Sequence, residues 1–405
     1  METVVITGVG TLGSYGVGLS RLAEVLAAGT PKVAEVGRSA QYHRKDGART
    51  AALVAGEDLA PWLAPALARR MSPPSKLAVA AARMALGDAG LAEGAASVSI
   101  AVVLATAFGP TSFTEKLLKS ILAEGPESAS PFLFMECVSN APAAQVAIDC
   151  GATGPNVTIV QREAGALVAF GRGATAVAEG RVARALVGAV DEMTPLAHAV
   201  LDRFGALARP CGAAPEGSRP FDRCRNGFLA SEGATVLVLE TETAAVARGA
   251  RILSRVLASG GAFDASASRV GWGHGDVVLA RELRRLLARA GCGPGDVDRV
   301  VSGASGSVAG DRLEGCVLRG AWEGAALPPV LAPKGVTGEY GGGFLAATVL
   351  ATQAVVFGPT PCWGGPDPAI GVIPHGGGPL PAPHCVLASS LASGGAAAWV
   401  LLEAP

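Results

Sequence analysis

Residues 219–240 read Arg219-Pro220-Phe221-Asp222-Arg223-Cys224-Arg225-Asn226-Gly227-Phe228-Leu229-Ala230-Ser231-Glu232-Gly233-Ala234, then Thr235-Val236-Leu237-Val238-Leu239 and Glu240. The apolar, β-branched run from Ala234 to Leu239 sits between a glycine and a charge, which predicts a buried strand. Short runs of the same kind recur on either side of it. They fall at Val4-Val5-Ile6, Ser99 to Thr106, Val157 to Val160, Ala185 to Val190, Val297 to Ser302 and Ala396 to Leu402. Between them, Lys76 to Ala89, Ala164 to Glu179 and Val278 to Ala290 carry the 3.6-residue periodicity of helices. Gly or Pro punctuates most junctions. Strands alternating with helices imply an α/β protein whose parallel or mixed sheets are covered on both faces.

Composition narrows the function classes. Half of the 405 residues are hydrophobic and 17% are charged, enough apolar material for large buried layers over two or three domains' worth of core. The net charge of −1 comes from interleaved signs, unlike the basic stripe of a nucleic-acid binder, so no nucleic acid is expected. Met1 to Gly10 has no basic segment followed by an apolar one, and no run of 18 apolar residues occurs, so neither a secretory signal nor a membrane span is expected. The eight cysteines form no CxxC pair and no zinc-ligand spacing with histidine. They read as reduced thiols in a cytoplasmic protein without a metal. Thr7-Gly8-Val9-Gly10-Thr11-Leu12-Gly13 has the glycines of a dinucleotide turn but lacks a clear short βαβ unit with a following acid, and no cofactor is expected. The stretch from Gly358 to Pro383, rich in Pro and Gly, reads as a long surface excursion.

The opening stretch carries more than a strand. Arg219-Pro220-Phe221-Asp222, Arg225, Gly227-Phe228, Glu232-Gly233-Ala234 and Leu239-Glu240 resemble the RPFD-x-x-R-x-GF-x-x-x-EGA signature of β-ketoacyl synthases. The resemblance extends over nearly the whole chain. It continues at Ser130-Pro131-Phe132, Asn140, Gly154-Pro155, Gly180, Gly188 to Glu192, Asp311-x-x-Glu314, Pro333-Lys334-x-x-x-Gly338 and Gly394-Gly395. It implies the thiolase fold, in which two similar halves, each a five-stranded sheet with helices, stack into a five-layered αβαβα sandwich. The halves would be residues 1–245 and 246–405, and the protein would form an obligate dimer through a strand near the nucleophile.

A condensing member of that family uses a cysteine thiolate at a helix N-terminus and two histidines. Reading forward from Gly154-Pro155 without gaps, the cysteine position is Glu163; counting back from Asp311, the first histidine position is Gly303; in Lys334 to Glu339, the second is Glu339. The family's GFGG gate corresponds to Ala392-Ser393-Gly394-Gly395. No catalytic residue of the family set remains, and a carboxylate cannot hold an acyl chain as a labile thioester. His43, His198, His274, His375 and His384 match no family position and read as surface or satisfied structural residues.

The pattern is similar to the chain-length factors of type II polyketide synthases, which replace the cysteine by Gln within a segment like EQAGGL. Arg162-Glu163-Ala164-Gly165-Ala166-Leu167 has Glu163 in its place, and Pro333 to Gly342 matches PK-x-x-TG-x-YxGG with Glu339 where Arg is common. This resemblance implies a silent ketosynthase-like subunit of an acyltransferase complex. It would form a heterodimer with an active ketosynthase and help set the length of an aromatic or polyene polyketide chain. That chain would be tethered through phosphopantetheine to an acyl carrier protein. Bulky side chains at the dimer seam would close the tunnel. The candidates are Phe113, Leu117, Phe132, Phe134, Met135 and Ser393, any of which also reads as ordinary packing. One methylene too many in a closed tunnel costs about 1–3 kcal/mol, enough to bias termination.

Glu163 itself has two readings. As a structural carboxylate it would complement the helix dipole or pair with Arg162, for roughly 0.3–1 kcal/mol. As chemistry, Glu163 and Glu339 would face each other as an acid–base pair for dehydration, cyclisation or hydrolysis. A homodimeric scaffold that binds an acyl carrier without changing its cargo is the third reading.

Overall fold

Ten strands form the main sheet path in the computed structural model, which describes residues 2–91, 99–361 and 363–405. Cys362 lies outside them. The first five strands are Val4–Gly13 (β1), Ile100–Ala105 (β2), Asn156–Ile159 (β3), Arg184–Asp191 (β4) and Gly233–Thr241 (β5), in the order β3-β2-β4-β5-β1. The second five are Ser254–Phe263 (β6), Arg299–Ser302 (β7), Val330–Leu331 (β8), Cys385–Leu391 (β9) and Ala396–Glu403 (β10), in the order β8-β7-β9-β10-β6. Each strand in the first order is matched by the one five later in the second. The directions match too: three parallel strands, then two antiparallel ones. Val4–Ile6 pair antiparallel with Ser254–Val256 and join the two sheets.

Helices Pro73–Asp88 (α1), Thr111–Glu124 (α2), Ala141–Cys150 (α3), Gly165–Ala178 (α4), Asp276–Arg289 (α5), Val308–Ala321 (α6) and Gly341–Leu350 (α7) supply the other layers. Side chains of α1 and α3 share a core with the outer face of the first sheet, and those of α5 and α6 with the outer face of the second. Helices α4 and α7 lie between the sheets, in a core fed by both inner faces. Their sequences suit that place. Helix α7, GGGFLAATVL, is apolar all round and buried from Gly342 onward, whereas α5 buries only the stripe Leu279, Ala280, Leu283, Leu286 and Leu287. The result is the expected five-layered thiolase fold.

The glycines of the N-terminal turn prove to be packing residues. Gly8 and Gly10 lie inside β1, where an added Cβ would stand 2.3 Å from the Ala85 carbonyl oxygen and 1.9 Å from that of Ala81. They let α1 lie directly on the strand, which accounts for the motif without a nucleotide. The Gly358–Pro383 excursion also differs from expectation. Val355–Phe357 and Gly378–Leu380 pair as a hairpin, and Ile370 and Val372 are buried in the core of the second half. A Cβ on Gly315 of α6 would meet Ile370 Cγ2 at 2.3 Å, so the segment is anchored by close packing on this chain. Strands β6 and β9 escaped the sequence reading because Gly, Ser and Ala interrupt their apolar runs. No helix among the described residues is long and apolar enough to cross a membrane.

Candidate functional site

The site forms where the two halves meet, at the start of α4. Strand β3 ends at Ile159, and the chain turns through Arg162, whose φ of 46° is left-handed, into a short 3₁₀ turn at Arg162–Ala164 and then into α4. Glu163 stands in that turn. Its carboxylate does not pair with Arg162. Oε2 accepts the Ser393 N–H at 3.1 Å, and both oxygens lie 3.2 Å from Ser393 Oγ. Arg162 instead donates from Nη1 to Ser393 Oγ at 3.0 Å and to the Ser393 carbonyl at 3.2 Å. Ser390 Oγ donates to the Glu163 carbonyl at 2.8 Å. Two consecutive residues of the first half thus latch Ser393, in the loop that follows β9. Ser393 has become a partner of the residue at the cysteine position.

Glu339 is brought beside Glu163 but engaged elsewhere. Lys334, fully buried, donates from Nζ to Glu339 Oε1 at 2.6 Å, while Glu339 Oε2 is buried without a partner among the described residues. Glu163 retains a little accessible surface, yet burial lifts its pKa to about 7, the Glu339 charge adds to the rise, and Lys334 opposes it. The two carboxylates therefore do sense each other, with Lys334 between them in charge. Lys334 and Glu339 thus form a buried ammonium–carboxylate pair.

Gly303 follows β7 and has no room for a side chain. A Cβ there would lie 2.6 Å from Ser390 Oγ and 2.9 Å from Ser390 Cβ, the same serine that holds the Glu163 carbonyl. The Gly303 N–H donates to the Ser389 carbonyl at 2.7 Å and to Glu314 Oε1 at 3.2 Å. Three more buried carboxylates surround this centre. Burial raises Glu314 to about 7, Asp311 to about 6 and Asp191 to about 6. Asp311 accepts from the backbone N–H groups of Phe221, Ser305 and Gly306, tying the signature stretch to the Gly303–Ser307 turn. Asp191 accepts from Thr106 Oγ1 and from the Ala107 and Phe108 N–H groups. Counting along motifs located Glu163, Gly303 and Glu339; the Lys334 pair and the Ser390/Ser393 contacts needed the fold.

The seam candidates divide. Phe113 and Leu117 are buried on α2, and the Phe113 ring packs edge-on against Phe132 with centroids 6.1 Å apart. Phe134 and Met135, on the short helix Pro131–Glu136, are exposed at 62% and 64%. Leu118, Leu122, Val157 and Val160 are exposed as well, the last two on and beside β3, the free edge of the first sheet.

The profile of the "Beta-ketoacyl synthase, N-terminal domain" matches residues 1–245. A Streptomyces coelicolor protein named "Putative polyketide beta-ketoacyl synthase 2" is 31% identical over 87% of this chain and 82% of its own. The solved ishigamide ketosynthase/chain length factor is 30% identical, covers 100% of this chain and 99% of its own, and superposes with a TM-score of 0.89. A type II polyketide-synthase ketosynthase, solved with its acyl carrier protein and bound to the hexaketide, shares the fold at 23% identity and a TM-score of 0.87, with 100% of both chains covered.

Proposed function

The chain belongs to the β-ketoacyl synthase family, and from that premise we propose that it is a catalytically silent ketosynthase-like subunit. It pairs with an active ketosynthase and helps set the length of a polyketide chain carried by an acyl carrier protein. The observation that carries this reading is the replaced triad. Glu163 is latched to Ser393, Gly303 is closed by Ser390, and Glu339 is paired with Lys334. None of the three supplies a nucleophile or an imidazole, and the Gly303 site lacks the space to regain one.

What supports the pairing is the apolar surface around Phe134 and Met135 together with the unpaired edge of β3, since a large exposed apolar patch marks a contact surface. The two strand sets, ending at Thr241 and beginning at Ser254, fit a division of the chain near residue 245. The kinship with a ketosynthase/chain length factor supports the polyketide assignment, and the fold shared with a carrier-bound ketosynthase supports the carrier protein as a partner.

A second reading has one observation in its favour: a carboxyl poised near pH 7 has the proton affinity of a general acid. Reconstitution with the partner ketosynthase and acyl carrier protein separates the two. On the silent-subunit reading, replacing the partner's nucleophilic cysteine abolishes all product, while Glu163→Ala leaves the product class unchanged. Loss of one processing step with Glu163→Ala, at unchanged chain assembly, overturns silence in favour of acid–base chemistry.

A further inference from the structure

Two imidazoles expected at the surface or satisfied are neither. His198, on the helix Pro195–Arg203, is fully buried, and His43 is 8% exposed. Their ring centroids stand 5.5 Å apart. His43 Nδ1 lies 3.2 Å from the Ser39 nitrogen and 3.4 Å from the Ser39 carbonyl oxygen, so Ser39 engages that ring nitrogen in either neutral tautomer. His198 Nε2 lies 3.3 Å from the Thr50 carbonyl, which holds a proton there and leaves Nδ1 a bare lone pair. His43 Nε2, His198 Nδ1 and Asp202 Oδ2 are all buried without a protein partner among the described residues. Both rings are therefore built to be neutral.

The charged groups around them do little to accept a proton's charge. Arg38 adds positive potential to His43. Asp202 and Glu216 oppose it, but Glu216 is committed through both oxygens and Asp202 through Oδ1. Asp202 Oδ1 takes the Ala48 N–H at 3.0 Å and the Arg209 guanidinium at 2.5 Å. Glu216 takes the N–H groups of Arg49 and Thr50 and the Thr50 hydroxyl. The bonds from the Ala48 and Arg49 N–H groups fasten the segment 36–49 to the body of the first half. At its tip, Tyr42 Oη donates to Glu115 of α2 at 2.8 Å, and Lys119 sits 5.3 Å from the centre of the Tyr42 ring.

We propose that the His43–His198 pair is a proton-sensitive clasp, which holds residues 36–49 down while both rings are neutral and releases them when either is protonated. Because Tyr42 anchors α2, release also loosens the helix that carries Phe113 and Leu117. That last consequence for chain length rests on the proposed function; the clasp does not.

Burial holds both histidines below their ordinary value of 6.5, and His43 lowers His198 further. The closed segment therefore binds fewer protons than the open one. Its stability is complete above about pH 6.5 and is lost as the pH falls below that. Hydrogen exchange read by mass spectrometry on the full chain, corrected for intrinsic rates and run from about pH 7.5 to about 5.5, tests this. Opening of residues 36–49 is expected to rise by up to about tenfold per imidazole for each pH unit below 6.5, with α4 and α7 unchanged. His198→Gln, whose amide can still reach Thr50, and His43→Gln should each remove about half of that pH dependence. No pH-linked opening, or a pH dependence as steep in both variants as in the natural protein, overturns the clasp. Should the variants not fold, the histidine Cε1–H resonances of the natural protein decide: both titrating below 6.5 is expected, and either titrating above it contradicts the proposal.

Discussion

A cysteine and a glutamate at position 163 make opposite demands on the same pocket. A thiolate needs positive potential to lower its pKa, which a helix N-terminus provides. Here Glu163 is grouped with the buried carboxyls of Glu339, Glu314 and Asp191, and burial raises three of the four rather than stabilising their charge. For Glu163 the folded value of about 7 lies above the ordinary 4.5, so its protonated form favours the fold and that contribution disappears as the pH rises through 7. Glu163→Gln keeps the shape and hydrogen-bonding reach without the charge. Its stability by chemical denaturation should match the natural protein near pH 4 and exceed it by ~1–2 kcal/mol near pH 8, a shift of this size discounted for partial exposure. A variant less stable than the natural protein at both values would show that the ionised carboxylate is structural. Spacing along the chain singled out residues 163, 303 and 339, and the fold gathers them: Glu163 senses Glu339, and Gly303 abuts the Ser390 that holds the Glu163 carbonyl. The spacing was silent about Ser390 and Ser393 as partners, since those contacts cross up to 231 residues of sequence.

At the scale of elements, α2, the helix Pro131–Glu136 and the edge strand β3 each carry exposed apolar side chains: Leu118 and Leu122, Phe134 and Met135, and Val157. Phe134 and Met135 are mostly exposed in the single chain, so changing them should leave its fold intact. Phe134→Glu is expected to leave the melting temperature of the isolated chain nearly unchanged, surface substitutions being worth within about ±0.5 kcal/mol. The same change should weaken pairing with a ketosynthase at least tenfold by analytical ultracentrifugation, since burying an unpaired carboxylate costs more than 1.4 kcal/mol. Pairing that survives the substitution would place the seam elsewhere. The elements with clean periodicity were legible in advance to within a few residues: β5 and α5 are examples. Those built from Gly, Ser and Ala, such as β6 and β9, were not, because small residues blur the alternation that close sheet packing later supplies. The same preference for small residues made the β1 glycines look like a cofactor turn, when α1 needed them to approach the strand.

For the molecule as a whole, two copies of one strand order enclose a central helical layer, and the former reaction centre lies where they meet. The fold was legible because its signature fixes long-range contacts: Phe221 and the Gly303–Ser307 turn share Asp311. On the proposed function, the protein is complete only with a second subunit that brings a cysteine and imidazoles. Native mass spectrometry of this chain co-expressed with a ketosynthase encoded beside it tests that claim most directly. The account predicts a one-to-one heterodimer, formed in preference to any homodimer of this chain. A stable homodimer that ignores the ketosynthase would contradict it.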